Sequence, residues 1–390
     1  MKGSILKRKQ HERKNRRVKS ERKPMGRTLK FEIESMDSMG QGVAKIDNKP
    51  CFIPKTLPGE QGQATLTKAS KGVLFAKLDT LDISADDRQE PQCKHFSSCP
   101  GCHYLHTDYQ SELSYKKQAL LYHLNRLETD FPAVKVSQAE QRLGYRNRIQ
   151  LHYRHKYLGM VDGASNNVVE VPACQAIDER LRAVFDGLYN DKSWVEDHEG
   201  QGHCELYLTE EGVSVEWDQP YAHGGFSQVN EVMNGVLKEA VLSQLKGDEV
   251  GTLLDLFSGE GNLSDPIVES NDSIGRVMVD YAPERVNQEE LTFIHLDLFS
   301  DSALRTFKAR TEYQQFDVLL VDPPRKGFAD LAVWVKAFKP KKLIYVSCNA
   351  PTMVRDLQQL TGKYSIDHVE LIDLFPGTYH YETLVTVSFS

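Results

Sequence analysis

Residues 252–262 read Thr252-Leu253-Leu254-Asp255-Leu256-Phe257-Ser258-Gly259-Glu260-Gly261-Asn262. A short apolar run closed by a glycine pair predicts a buried strand that turns sharply into a helix. Glycine allows the tight turn and lets a ligand approach the backbone. By itself the stretch also fits a plain βα turn. The next apolar run, Arg276-Val277-Met278-Val279, ends in Asp280, about 20 residues on, where a carboxylate can accept hydrogen bonds from ribose hydroxyls. Together the two runs point to an adenosyl cofactor, either a dinucleotide or S-adenosylmethionine. Further strand-like cores at Val318-Leu319-Leu320-Val321 and Lys342-Leu343-Ile344-Tyr345-Val346 extend the pattern. From residue 250 onward the chain therefore predicts an α/β, Rossmann-like domain with a mostly parallel sheet.

Three more segments place reactive side chains at the carboxyl ends of such strands, where open α/β sheets bind ligands. Asp322-Pro323-Pro324-Arg325 ends one strand with a carboxylate on rigid backbone. Ser347-Cys348-Asn349 ends the next. Phe375-Pro376-Gly377-Thr378-Tyr379-His380-Tyr381-Glu382 puts His380 and Glu382 in a loop before a last strand at 383–387. Taken singly, Cys348 reads as a buried structural cysteine.

Upstream the character changes. Residues 28–83 hold short alternating runs separated by Gly and Pro signals, which predicts a small OB-like β-barrel. Residues 140–225 mix strands and loops, a β-rich central region. Helices are expected near 110–128 and from about Gln228 to Leu245. The chain has 390 residues, 40% apolar and 26% charged, as in an ordinary globular protein. No apolar stretch reaches membrane length, and no apolar segment follows the basic start, so a cytosolic protein is expected. Residues 1–30 hold 13 Lys/Arg against 2 Glu, whereas the net charge of the whole chain is −7. A basic arm on an acidic body predicts a polyanionic partner; a solvated, disordered tail is the alternative.

Cys93, Cys99 and Cys102 form C-x5-C-x2-C, and Cys174 lies far downstream. In a cytosolic chain such cysteines read as ligands before disulfides. Four thiolates can hold an iron–sulfur centre or zinc. Cys51 and Cys204 fit no such pattern.

In order and wording, the motifs at 226–230 (Phe226-Ser227-Gln228-Val229-Asn230), 255–262, 322–325, 347–349 and 375–382 resemble those of the uracil-C5 RNA methyltransferase family. The resemblance implies that Cys348 is the nucleophile and Glu382 the general base. It places Gln228, Phe257, Asn262, Asp280, Asp297 and Asp322 around S-adenosylmethionine, with Asp297 on the adenine side. The RumA/RlmD-type branch, which methylates 23S rRNA, carries the same cysteine set as [4Fe-4S] ligands and begins with a TRAM barrel. The implied organisation is a basic tail (1–27), a TRAM barrel (28–83), a central iron–sulfur domain (84–104 and 137–225) and a methyltransferase domain (105–136 and 226–390). An RNA partner, most naturally 23S rRNA, and a monomer follow; transfer RNA is the rival substrate. Ser258, Asp280, Ala350 and Gly377 depart from residues usual in the family. Two other classes compete: a nicotinamide-dependent dehydrogenase using the glycine motif, and a non-catalytic RNA-binding iron–sulfur protein. The pairing of 322–325 with 347–349 opposes the first, and the presence of both Cys348 and Glu382 opposes the second.

Overall fold

The computed structural model describes residues 26–163, 165–220, 227–281 and 292–390. The basic arm before residue 26, Phe226 and residues 282–291 lie outside them.

Strands β1 (Thr28–Met36), β2 (Gln41–Ile46), β3 (Lys49–Pro54), β4 (Gln61–Ser70) and β5 (Val73–Ile83) close into a barrel in the order β1-β2-β3-β5-β4. Alternation explains the closure. Leu29, Phe31, Ile33, Ala44, Ile53, Ala64, Leu66 and Leu74 point inward and form one core, with Cys51 among them. Helix α1 (Tyr109–Leu124) follows, N-capped by Asp108, whose side chain accepts from Ser111 N. Its Leu113, Leu120 and Leu124 are buried, as their helical spacing predicts.

Strands β6 (Lys135–Ser137), β7 (Arg148–Arg154), β8 (Tyr157–Val161) and β9 (Val168–Glu170) lead to helices α2 (Glu179–Asn190) and α3 (Trp194–Asp197), then to strands β10 (Gln201–Thr209) and β11 (Gly212–Trp217). Five of these strands form an antiparallel sheet in the order β11-β10-β7-β8-β9, with α2 packed on its apolar face. The short β6 does not join it. It pairs in parallel with a strand near the C-terminus, so residues 135–137 belong to the larger sheet.

That sheet is built from α4 (Glu231–Ser243), β12 (Thr252–Leu256), α5 (Asp265–Ser270), β13 (Gly275–Asp280), β14 (Thr292–His295), α6 (Ala303–Arg310), β15 (Val318–Val321), α7 (Leu331–Phe338), β16 (Lys342–Ser347), α8 (Ala350–Leu357), β17 (Tyr364–Ile372) and β18 (Glu382–Phe389). Its order is β14-β13-β12-β15-β16-β18-β17-β6. The first five strands are parallel, and β18 runs antiparallel between β16 and β17. Apolar side chains cover both faces, which explains why these strands read as unbroken apolar runs. Helix α4 starts three residues later than Gln228 because Asn230 is the cap, its side chain accepting from Met233 N at 3.2 Å. Among the described residues no helix is long and apolar enough to cross a membrane.

Candidate active site

The carboxyl ends of β12, β13, β15 and β16 open onto a cleft of about 1800 Å³. Gln228, Phe257, Asn262, Asp280, Asp297, Asp322, Cys348 and Glu382 all line it. Eight positions spread over 155 residues thus meet in one place: Gln228 leads into α4, and the others follow or flank strands of the same sheet.

The glycine-rich turn forms one wall. Phe257, Gly259 and Gly261 have φ of 62°, 52° and 91°. A Cβ at Gly261 would stand 2.6 Å from Asp265 Oδ1, so only glycine fits there. Gly259 N donates to Asp280 Oδ2 at 2.9 Å, which fastens the turn to β13. Asn262 and Asn234 exchange hydrogen bonds at 2.9 and 3.0 Å, tying the turn to α4. Asp297 accepts from Phe299 N at 2.9 Å, and the Phe299 ring packs on Phe257 with centroids 5.3 Å apart. Asp255, buried under the turn, has an Oδ2 without a hydrogen-bond partner among the described residues. Burial pushes its carboxyl up to about 7, with Asp322 and Asp280 adding to the rise.

The opposite wall carries the reactive groups. β16 and β18 pair with Ser347 facing Thr383, so one further step along the register sets Cys348 against Glu382. The sequence places Glu382 in a loop; the structure makes it the first residue of β18. The difference matters, because a strand holds a side chain more rigidly than a loop does. Burial and the nearby Glu382 and Asp322 push the Cys348 thiol up to about 12, opposed by Arg325 and by a backbone hydrogen bond from its own amide. Glu382 is buried, its Oε2 lacks a hydrogen-bond partner among the described residues, and its carboxyl is raised by burial and by Asp322. Burial raises Asp322 to about 7. The cleft by itself therefore favours neutral groups, and a cation beside them would favour the thiolate and the carboxylates.

Arg325 is held by its backbone, whose carbonyl accepts from Asn349 Nδ2 at 2.6 Å and Thr352 Oγ1 at 3.2 Å. Its guanidinium stands 3.4 Å from His380 Nε2. Burial and this neighbour push His380 down to about 3, so its ring is a neutral acceptor. Arg146, Asn147, Arg148 and Gln150 bring the central sheet to the same cleft, and Asn147 N donates to Val229 O at 3.0 Å. Sequence reasoning did not single out Asn234, Tyr281 or Phe299, which stand in no motif, and it gave Asp255, first in the motif at 255–262, no role of its own.

Away from the cleft, Cys93, Cys99, Cys102 and Cys174 line one small, almost wholly apolar cavity. Among the described residues no three His, Cys, Asp or Glu side chains converge closely enough to hold one metal ion. Four thiols facing one cavity are a donor set that zinc also accepts. A polynuclear cluster distributes its thiolates over separate irons, and four cysteines around a dry cavity suit it. Lys55 of the barrel donates its amine to the Phe96 and Cys99 carbonyls beside the cavity.

Residues 207–389 match the family model of tRNA (uracil-5-)-methyltransferases, and residues 22–78 match the TRAM domain. Over residues 207–389 the chain is similar to the RNA uracil-C5 methyltransferase family. Among curated relatives, a 23S rRNA (uracil(1939)-C(5))-methyltransferase RlmD of Pectobacterium carotovorum is 28% identical, covering 95% of this chain and 96% of the relative. Its namesake in Shewanella frigidimarina is 26% identical, with 93% and 96% covered. An uncharacterized RNA methyltransferase of Bdellovibrio bacteriovorus is 27% identical, with 92% and 95% covered. Among solved structures, the Pyrococcus abyssi tRNA (uracil-54, C5)-methyltransferase in complex with S-adenosyl-L-homocysteine superimposes with a TM-score of 0.69 at 19% identity, covering 92% of this chain and all of that one. That likeness bears out the expected fold: a Rossmann-like methyltransferase domain with an N-terminal barrel.

Proposed function

We propose that this protein transfers a methyl group from S-adenosylmethionine to C5 of a uracil in RNA, through a covalent adduct on Cys348. The observation that supports it most is the meeting of Cys348 and Glu382 on adjacent antiparallel strands, in the cleft bounded by the glycine-rich turn. C5 of uracil is a weak nucleophile. A Cys348 thiolate adding at C6 moves the ring electrons to C5, which then takes the methyl from the sulfonium donor. Glu382 next removes the C5 proton, the C5–H electrons rebuild the C5–C6 double bond, and the C6–S bond breaks to return the thiolate. One proton is released per methyl transferred.

In this reading the bound donor supplies the methyl and a positive charge beside Cys348. Gln228, Phe257, Asn262, Asp280, Asp297 and Asp322 would hold it. The positive-φ turn gives close backbone approach, and Asp280 and Asp297 offer carboxylate acceptors. Arg325, Arg148 and Arg146 give the cleft cations suited to an RNA strand. The target base must be unpaired or flipped for a thiolate to reach its ring face.

We further assign the barrel at 28–83 to RNA binding and Cys93, Cys99, Cys102 and Cys174 to a [4Fe-4S] centre. Its support is the small apolar cavity that the four cysteines line together. Loss of the brown chromophore in Cys93→Ser tests that assignment, and an unchanged chromophore contradicts it. For substrate we favour 23S ribosomal RNA, on the names of the curated relatives; transfer RNA is the rival. Deleting the gene and mapping missing 5-methyluridine in both RNA classes decides between them. Complementation by Cys348→Ala that restores the mark would sink the mechanism.

A further inference from the structure

The cysteine cavity and the catalytic cleft meet at one loop, residues 375–381. Thr378 lines the cavity, whereas Phe375 and His380 line the cleft. The loop is fastened chiefly from the cysteine side. His103 N and Tyr104 N, the two amides after Cys102, donate to Gly377 O at 2.7 and 3.1 Å. Gly377 N donates to Glu112 Oε1 of α1 at 2.7 Å. The Tyr145 hydroxyl donates to Pro376 O at 2.9 Å, and Lys116 Nζ to Phe375 O at 3.2 Å. The His103 ring meets Tyr379 edge-on, with centroids 4.6 Å apart. Gly377 has φ +77°, and a Cβ there would come within 3.0 Å of Leu105. Each carbonyl from 375 to 377 thus accepts a bond from the cysteine segment, α1 or Tyr145.

Arg146 lines both the cavity and the cleft. Among the described residues no carboxylate lies within ion-pair distance of it. The acidic groups it faces are Cys102, Cys174 and Tyr145. A guanidinium partly withdrawn from water favours a counter-charge, and the thiolates of the cysteine cavity are one beside it.

We propose that the four-cysteine centre positions the catalytic loop. With its cluster bound, the segment from Cys102 to Leu105 and Arg146 are held. Through Gly377 and Pro376 they hold His380 and Glu382 against Cys348. This rests on the iron–sulfur assignment above. Cluster loss then slows the step that needs Glu382, not binding of the methyl donor, whose residues come from the segment before α4, the glycine-rich turn and the ends of β13, β14 and β15.

The test uses the full chain purified without air, and the same protein stripped with ferricyanide and a chelator. Iron and sulfide analysis comes first: a purified chain holding neither overturns the cluster assignment itself. For a loaded chain, hydrogen exchange at the Gly377, Thr378 and His380 amides should quicken at least about tenfold on stripping. Titrated S-adenosylhomocysteine should bind both forms within about twofold. Unchanged exchange in a stripped protein that still binds it overturns the proposal. Where stripping abolishes that binding, Arg146→Gln decides. In the loaded enzyme it should lower kcat about 10- to 100-fold at unchanged KM for the donor. It should also accumulate a covalent adduct with a uridine-containing RNA oligonucleotide, because methylated adduct waits for Glu382, and Arg146→Lys should restore most of the rate. An unchanged kcat, or no adduct, overturns the proposal.

Discussion

Two regions of this molecule gather cysteines in cavities, and they differ in what surrounds the sulfur. The cleft sets Cys348 among Asp322, Glu382 and Arg325, at a sheet edge open to solvent. The other cavity sets Cys93, Cys99, Cys102 and Cys174 among Ile149, Met160 and Val171, with Arg146 at its border. Burial raises thiols in both places; Cys102 and Cys348 each rise to about 12. Thiol acidity therefore does not by itself separate a nucleophile from a ligand. Neighbours do: an acceptor for a substrate proton lies opposite Cys348, whereas the four other thiols have one another.

The largest expected contrast comes from single substitutions in the two regions. Cys348→Ala should lower turnover at least about 10⁴-fold while keeping bound iron. Cys102→Ala should lose iron while Cys348 still reacts with iodoacetamide. Assays of turnover and iron on both variants check this, and retained turnover in Cys348→Ala merges the two roles. Glu382→Gln should slow turnover about 10³-fold and trap RNA on Cys348 as a covalent adduct visible on a denaturing gel. Absence of the adduct would place the base elsewhere.

A smaller effect concerns pH. Burial raises Asp322 to about 7 and raises Glu382 too, so acidification protonates these carboxyls earlier than ordinary ones and removes the proton acceptor. Log kcat should therefore rise with pH through 7; a profile flat from pH 5.5 to 8 contradicts this. The smallest effect is on stability. Asp255 has a folded pKa of about 7 against 3.8 in the open chain. A carboxyl raised by folding contributes stability that is present below 3.8 and lost as pH rises to 7. Asp255→Asn removes that loss. Its stability relative to the parent should grow between pH 4 and 7 by up to about 4 kcal/mol and then level off, as read by urea denaturation.

Strand and turn were legible wherever local physics decided them. The runs at 252–256, 276–279, 318–321 and 342–346 are buried on both faces, so each shows as an apolar block. The turn at 257–261 needs positive φ, and its glycines advertise it. Less legible were features set by distant partners. Residues 135–137 look like an ordinary short strand, yet their hydrogen bonds go to β17, more than 200 residues on. Lys116 looks like a surface lysine of a helix, but it is buried between Glu112 and Asp373, both at 2.7 Å. A helical period cannot reveal that, because charged residues are ordinarily solvated.

The chain alone determined the elements, the order of its motifs and the chemistry each could carry, since strand period, turn residues and side-chain type are local properties. Tertiary structure decided which of those groups meet. The β16–β18 register set Glu382 against Cys348 on a strand, and packing drew Cys174 to three cysteines more than 70 residues away. It also decided that the loop with His380 leans on the segment after Cys102, because hydrogen bonds between backbone groups leave no mark in side-chain pattern.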